Sequence, residues 1–147
     1  MHQTLERELP WRPDQLFDLV GDVESYPKFI PWISALSITD RSSDAQGRPV
    51  VEAQASVGYS FVRERFSSRV TLDKPALEIR VDLLSGPLKR LENLWRFAPS
   101  GQGCHLAFAI DFEFKSRLLT AMLAANMALA VRRLVACFEA RARALYG

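Results

Sequence analysis

Few side chains in this sequence have the types and spacing that chemistry requires. The two histidines are His2, near the start of the chain, and His105, on the polar face of a predicted strand. A nucleophile–histidine–acid arrangement needs a buried, oriented imidazole, and neither position predicts one. The chain has no glycine-rich phosphate loop, and Cys104 and Cys137 lack the spacing of metal ligands. We therefore predict no catalytic residues, no metal site and no enzymatic activity.

Three polar side chains fall among apolar neighbours, where each must be paired or must face a ligand. Glu64 and Ser68 lie on the apolar side of a predicted strand, and Asn126 is the only amide in the uncharged stretch 118–131. These three are the polar candidates for a binding cleft, and the indole N–H of Trp95 is a further donor. The alternatives are an ion pair with an arginine at the sheet edge for Glu64 and solvent exposure for Asn126.

Length and composition predict one domain, residues 1–147, of ordinary globular character. The net charge is only +2, yet 15 of the 19 basic residues are arginine. Arginine binds phosphate in a bidentate way, which favours lipid headgroups or RNA as partners. The alternative is an ordinary set of solvated surface charges. The first residues lack the apolar core of a signal peptide, so we expect a cytoplasmic protein with peripheral contact at the inner membrane left open.

Hydrophobic periodicity predicts a strand, short helices, six further strands and one long C-terminal helix. We expect strands at 2–9, 33–40, 49–57, 61–72, 77–83, 91–97 and 104–114. Ser116 should cap a continuous helix of about 45 Å that runs to the end of the chain. Its apolar stripe comprises Leu119, Leu123, Met127, Ala130, Leu134, Phe138 and Leu145. The predicted fold is α+β: a curved antiparallel sheet wrapped around this helix, which is a helix-grip architecture.

The inward faces of these strands predict an apolar cleft between sheet and helix. Ala53 and Ala55 are small, so they leave volume opposite large neighbours. An apolar cleft with few polar groups is the usual form of a small-molecule site. The alternative is a close-packed core without a cavity. The candidate lining residues are Ala53, Ala55, Phe66, Ile79, Val81, Trp95, Phe97, Phe108, Ile110, Phe112, Leu119, Leu123 and Met127.

Two loops that contain proline are predicted at the mouth of the cleft, with apolar tips next to cations. Such tips suit an anionic membrane interface, although ordinary turns that pack inward would have the same composition. The uncharged helix face formed by Ala121, Ala125 and Ala128 is a further candidate for membrane or partner contact. The loop residues concerned are Tyr26, Pro27, Phe29, Pro31, Trp32, Pro87, Leu88 and Lys89.

Five segments, in this order and at this spacing, resemble the START-like coenzyme Q-binding family of the polyketide cyclase/dehydrase and lipid transport superfamily. They are VESYPKFIPW, ERFSSRVTL, GPLKRLENLWRF, IDFEFKSRLL and FEARARALYG. The resemblance implies a START/Bet v 1-like fold of about seven strands with two short helices after the first. It also implies a hydrophobic tunnel that binds ubiquinone without turnover. Leu88 stands where relatives often carry phenylalanine, so no aromatic stacking is expected there.

Three functions stay open at this point. The first is a ubiquinone carrier or chaperone that supports respiratory electron transport or quinone biosynthesis. The second is a regulator of the RatA type that binds the ribosome, since the same family includes such proteins; Arg63, Arg65 and Arg69 would then contact rRNA phosphates. The third is a cyclase/dehydratase-type enzyme, for which Glu64 is the sole acid/base candidate. Neither the oligomeric state nor the isoprenoid length follows from the sequence.

Overall fold

Seven antiparallel strands form one sheet in a computed structural model that describes residues 1–59 and 62–147. The spatial order is β1-β7-β6-β5-β4-β3-β2, so the first strand pairs with the last. The strands are β1 (His2–Leu9), β2 (Ile33–Ser43), β3 (Pro49–Tyr59), β4 (Val62–Asp73), β5 (Glu78–Ser85), β6 (Leu88–Ser100) and β7 (Gly103–Phe114). The helices are α1 (Pro13–Gly21), a 3-10 helix (Val23–Lys28), α2 (Arg117–Ala124) and α3 (Met127–Tyr146).

This architecture confirms the predicted helix-grip fold. The strands follow the predicted order, and two short helical elements come after β1 as expected. Phe61, the predicted first residue of β4, lies outside the described residues. Alternation along the strands places one face of the sheet on the core and the other toward solvent, which is how an antiparallel sheet with one covered face is built.

The C-terminal helical region differs from the prediction because it consists of two helices instead of one. Ser116 caps α2 as predicted, and its Oγ accepts a hydrogen bond from the backbone N–H of Leu119 at 3.2 Å. The helix axes then bend by 73° between Ala124 and Met127. Asn126 occupies the N-cap position of α3, although its side chain forms no capping hydrogen bond. Among the described residues no single helix is long and apolar enough to cross a membrane, although α2 and α3 together meet both criteria.

The buried face of α3 is also rotated relative to the predicted stripe. Val131, Val135, Phe138 and Ala142 are buried, whereas Leu145 is 51% exposed. The stripe prediction was therefore wrong for Leu145. Leu145 lies on the same face of α3 as the buried Met127 and Phe138. It is exposed because it stands in the last turn of the helix and not because its face points away from the sheet.

The first helix fills one half of the concave face of the sheet. At Gly21 the α1 backbone comes so close that a Cβ there would lie 3.4 Å from Leu72 Cδ2 and 3.7 Å from Ile79 Cδ1. The ring of Phe17 packs edge-to-face on Phe97, with centroids 6.1 Å apart. The space left in this half is about 10 Å³, no more than one water molecule requires. We call this half of the concave face the filled half.

Phe138 of α3 is the centre of an aromatic cluster in the filled half. Its ring lies 5.3 Å from Tyr26, 5.2 Å from Phe29 and 4.9 Å from Trp95, in edge-to-face geometry each time. The hydroxyl of Tyr26 donates a hydrogen bond to the carbonyl of Val20. Burial raises the pKa of this hydroxyl above its ordinary value. The cluster therefore ties the 3-10 helix and β6 to α3.

The β1–β7 pair holds a histidine between two glutamates. His105 Nδ1 lies 2.5 Å from Glu8 Oε1, and its Nε2 lies 3.5 Å from Glu6 Oε1. The hydrogen bonds to Glu8 and then to Glu6 raise the pKa of His105. A group whose pKa is raised on folding stabilises the fold fully below its unfolded pKa, which is about 6.5 for histidine. That contribution is lost as the pH rises through the raised pKa of the folded state.

We expect His105→Gln to remove this pH dependence. As the pH rises from about 6 through the raised pKa, wild type should lose free energy of unfolding relative to H105Q. Urea denaturation of both proteins across this range, at constant ionic strength, measures the difference. His2→Gln replaces the other histidine and serves as the control. A difference between wild type and H105Q that does not change with pH would contradict the prediction.

Candidate functional site

A cavity of about 200 Å³ occupies the other half of the concave face, under α2 and the first turns of α3. We call this half the hollow half. Inward-facing side chains of β3, β4, β6 and β7 form its floor, and α2 and α3 form its roof. Its lining residues are Trp32, Val57, Tyr59, Val62, Glu64, Phe66, Pro87, Leu88, Leu91, Phe108, Ile110, Phe112, Phe114, Leu123, Met127, Ala130, Val131 and Leu134.

Strand alternation explains why this wall is apolar. Side chains two residues apart share a face, so Phe108, Ile110, Phe112 and Phe114 of β7 all face the cavity. The bend after α2 lets residues from both helices reach the same space. If the two segments formed one straight helix, only one of them could lie over the cavity.

Glu64 is the one carboxyl group in the wall. Its side chain forms no hydrogen bond or ion pair with any other residue that the structure describes, and it is half-buried. The predicted ion pair with an arginine at the sheet edge is therefore not seen in residues 1–59 and 62–147. An ionised carboxylate only accepts hydrogen bonds, so Glu64 in that form cannot bind a ligand carbonyl.

Two polar groups stand at the rim of the cavity. The rings of Trp32 and Tyr59 pack edge-to-face with centroids 5.1 Å apart. Arg133 Nη1 donates a hydrogen bond to the hydroxyl oxygen of Tyr59 at 3.4 Å. The hydroxyl proton of Tyr59 and the indole N–H of Trp32 are thus available as donors at the mouth. The arrangement can hold an apolar body inside and a hydrogen-bond acceptor at the rim.

The structure divides the predicted lining residues between the two halves. Phe66, Phe108, Ile110, Phe112, Leu123 and Met127 line the cavity as predicted. The others do not, which corrects the prediction. Ala53 and Ala55 are buried further along β3, and Leu119 packs on the core without reaching the cavity wall. Ile79, Val81, Trp95 and Phe97 lie on β5 and β6 and pack into the core outside the cavity wall.

The predicted polar candidates other than Glu64 are also placed away from the cavity. Asn126 is exposed at the break between α2 and α3, which is the alternative that the sequence left open. Trp95 Nε1 donates to Asn93 Oδ1 at 2.7 Å, so this indole is engaged within the fold. Ser68 is buried opposite Ala53 in the β3–β4 register and does not line the cavity.

The predicted mouth residues separate in the same way. Trp32, Pro87 and Leu88 line the cavity, and Leu88 is buried. Tyr26 and Phe29 are half-buried and belong to the aromatic cluster around Phe138, so the structure places them in the filled half and away from the cavity mouth.

The remaining mouth residues make other contacts. Pro27 is half-buried inside the 3-10 helix. Pro31 is exposed and lines a second, open groove beside the cavity, together with Ser56, Gly58 and other residues. Lys89 forms an ion pair with Glu113 at 3.3 Å. None of these three side chains lines the cavity.

Several lining residues were not predicted, although the sequence carries a signal for most of them. Val57 and Tyr59 continue the inward alternation that begins at Ala53. Ala130 and Leu134 lie on the predicted helix stripe, but they were not assigned to the cleft. Leu91 shares the inward alternation of Trp95 and Phe97 in β6, and its register partner is Phe112 of the cavity wall.

Comparison with known proteins gives a consistent family match. Residues 9–139 match the family described as polyketide cyclase / dehydrase and lipid transport. The chain is 31% identical over 138 residues to ribosome association toxin RatA of Rickettsia prowazekii, covering 92% of this chain and 91% of that protein. It is 32% identical over 139 residues to the mitochondrial coenzyme Q-binding protein COQ10 homolog B of Xenopus laevis, covering 91% of this chain and 54% of that protein.

A solved structure is similar over the whole chain. The solution structure of an 18 kDa protein from Caulobacter crescentus superposes with a TM-score of 0.83 at 51% sequence identity, covering 100% of this chain and 99% of that one. The names of the two sequence relatives point to different partners: the Rickettsia protein is named for ribosome association, and the Xenopus protein for coenzyme Q binding.

Proposed function

Because the chain belongs to the polyketide cyclase / dehydrase and lipid transport family, we propose that it binds a polyisoprenoid quinone of the ubiquinone type without turning it over. It would act as a carrier or chaperone for respiratory electron transport or quinone biosynthesis. The observation that carries the proposal is the apolar cavity under α2 and α3. Coenzyme Q binding in a relative's name supports this choice of ligand.

The size of the cavity limits how much of such a ligand fits inside. A cavity of about 150 Å³ accommodates one benzene molecule, so 200 Å³ holds one ring or a short part of an isoprenoid tail. Each buried CH₂ contributes about 0.8 kcal/mol, so even a short buried section binds appreciably. The rest of a long tail must pass the mouth. The ligand therefore stays partly outside the protein.

Hydrogen-bond chemistry favours an orientation with the quinone ring at the rim. Quinone carbonyls only accept hydrogen bonds, and the interior of the cavity offers aromatic and aliphatic groups. The donors stand at the mouth, at Tyr59 and Trp32. The ring would lie there, with the first isoprenoid units inside.

Tyr59→Phe tests this orientation. It removes the hydroxyl and keeps the ring, so it removes one hydrogen bond, whose net contribution is about 0.5–1.5 kcal/mol. We expect affinity for a water-soluble short-chain quinone to fall roughly 2- to 12-fold. Quenching of tryptophan fluorescence gives the isotherm. Unchanged affinity in Y59F would exclude a hydrogen bond between Tyr59 and the quinone.

The function itself is tested by identifying what the protein carries. Native mass spectrometry and solvent extraction of protein purified from its own host should reveal a quinone in a one-to-one complex. Stripped protein should bind added short-chain quinone. Finding no isoprenoid in the purified protein, together with no binding of added quinone, would refute the proposal.

A second candidate function is a ribosome-binding regulator, because the chain covers nearly the whole length of a relative named for ribosome association. One arginine of the face predicted for this role is ion-paired. Arg69 pairs with Glu52 at 3.3 Å, and Arg63 donates to the carbonyl of Val62 at 3.3 Å. Arg65 is exposed and forms no ion pair with another described residue.

Co-sedimentation with ribosomal subunits at two ionic strengths tests this second candidate. Binding through phosphate contacts should weaken steeply as salt increases. Absence of sedimentation at low salt would remove the ribosome from consideration.

An enzymatic role of the cyclase type would depend on Glu64, the one carboxyl group in the described cavity wall.

A further inference from the structure

We propose that the outer surface of α2 and of the α2–α3 break docks on an anionic phospholipid bilayer and sets the cavity mouth against the lipid. We call this surface the docking face and define it by Leu118, Ala121, Met122, Ala125 and Leu129. The inference deepens the proposed function by naming the surface through which a membrane-resident ligand would enter. It rests on that function only for the identity of the cargo.

The docking face is apolar and uncovered. Leu118 is 69% exposed, Met122 43% and Leu129 36%, and Ala121 and Ala125 are exposed between them. Large apolar side chains that lie together on a surface mark an interaction site. The opposite side of the same helices, at Leu123 and Met127, forms the cavity roof. One thin layer of helix thus separates the docking face from the cavity.

Cations without acidic partners surround this face. The segments 84–91 and 114–138, which contribute Pro87, Leu88 and the roof of the cavity, contain no aspartate or glutamate, and Glu64 is the one carboxyl group among the described wall residues. Within the described residues, Lys115, Arg117, Arg132 and Arg133 form no ion pair. Elsewhere arginines are paired, as in Arg90–Asp111 at 3.2 Å. Cations are therefore left available at one end of the molecule, next to the docking face.

This combination fits an anionic bilayer better than a nucleic acid. An apolar helix face flanked by arginine and lysine inserts its aliphatic side chains at the headgroup boundary while the cations contact lipid phosphates. RNA backbone offers phosphates but nothing that would cover Leu118 or Met122. The rings of Tyr26 and Phe29 pack on Phe138, so these two side chains are engaged within the fold, whereas Leu118 and Met122 are exposed.

Vesicle co-sedimentation tests the proposal with two variants and two matched controls. The vesicles are phosphatidylcholine alone and an equimolar mixture with phosphatidylglycerol. Leu118→Ser is compared with Leu145→Ser, a leucine that is 51% exposed at the far end of α3. The double variant R117Q/R132Q is compared with R41Q/R96Q, which removes the same charge from the far parts of β2 and β6, where both arginines are ion-paired.

Wild type should bind the mixed vesicles more tightly than phosphatidylcholine alone. We expect L118S to lose about tenfold in partitioning, since one exposed leucine side chain no longer inserts. Each removed cation should cost roughly fivefold on the mixed vesicles. Both controls should stay within about twofold. Leu145 lies at the far end of α3 and does not insert, and charges more than about 8 Å from the membrane surface are screened at physiological salt.

Three results would overturn the docking proposal. The first is that wild type does not bind vesicles. The second is that vesicle partitioning falls equally in the variants and in their controls. The third is that R117Q/R132Q loses binding to a polyribonucleotide while L118S binds vesicles as well as wild type does. Binding of a short-chain quinone is measured separately without vesicles. If the variants keep quinone binding while vesicle binding is absent in wild type, the docking face is wrong and the proposed function stands. If wild type binds vesicles but no quinone, the docking face is correct and the proposed function is wrong.

Discussion

Replacing Ala130 with phenylalanine should abolish quinone binding and leave the protein folded. Ala130 is half-buried on α3 and faces the cavity. A benzene ring occupies a cavity of about 150 Å³, so the new side chain takes up most of the available 200 Å³. We expect affinity to fall at least 100-fold, because the ligand and the ring would compete for one space.

The same substitution should change stability little. The ring enters existing empty volume and displaces few packed side chains, so the free energy of unfolding should change by less than about 2 kcal/mol. Fluorescence titration and urea denaturation of A130F measure the two effects. The control is Ala136→Phe, which adds the same ring at an exposed position of α3. Wild-type affinity in A130F would show that the ligand does not occupy the cavity.

Truncating Phe138 to alanine should have the opposite profile, with a large loss of stability. Phe138 is buried, and the rings of Tyr26, Phe29 and Trp95 all pack on it. Phe→Ala in a closely packed core costs about 3–5 kcal/mol. For a chain of this size that corresponds to a decrease in Tm of roughly 6–20 °C. The loss is a large part of the 5–15 kcal/mol typical of a folded domain.

Phe66→Ala is the matched comparison for this prediction. It removes the same ring from a half-buried position that already faces the cavity, so fewer packing contacts are lost. Differential scanning calorimetry of both variants should show the smaller decrease in Tm for F66A. Equal decreases would contradict the division of the concave face into a filled half and a hollow half.

The fold could be predicted from the sequence because its signals are local and repeated. Strict alternation over 104–114 and the turn residues between strands determine which face of each strand is buried. The helix break could not be predicted in this way. The stretch 118–131 is uncharged and has only Thr120 and Asn126 as polar residues, so no continuous polar face sets the helical phase, and neither proline nor glycine marks the bend. Asn126 stands at the break, but its side chain forms no capping hydrogen bond, so its residue type alone does not predict the bend.

Only part of the site could be predicted, because the sequence does not show which strands α1 covers. Inward-facing residues of all strands look equivalent in sequence, yet α1 covers only some of them. Where α1 packs, at Ile79 and Phe97, the alternative of a close-packed core is correct. Where it does not reach, at Phe108 and Phe112, the cavity remains. The helix α1 has nine residues, and the strands that it covers depend on the angle between its axis and the sheet. Hydrophobic periodicity does not determine this angle.

The division between the filled half and the hollow half has a consequence for how this architecture can evolve. In the filled half the side chains pack closely on one another, so most exchanges reduce stability and are selected against. In the hollow half a side chain borders empty space, and an exchange there alters the shape of the cavity at small energetic cost. Mutations that change what is bound are therefore separated from mutations that threaten folding. Substitutions in the hollow half can therefore change the ligand specificity, while the packing of the filled half maintains the stability of the fold.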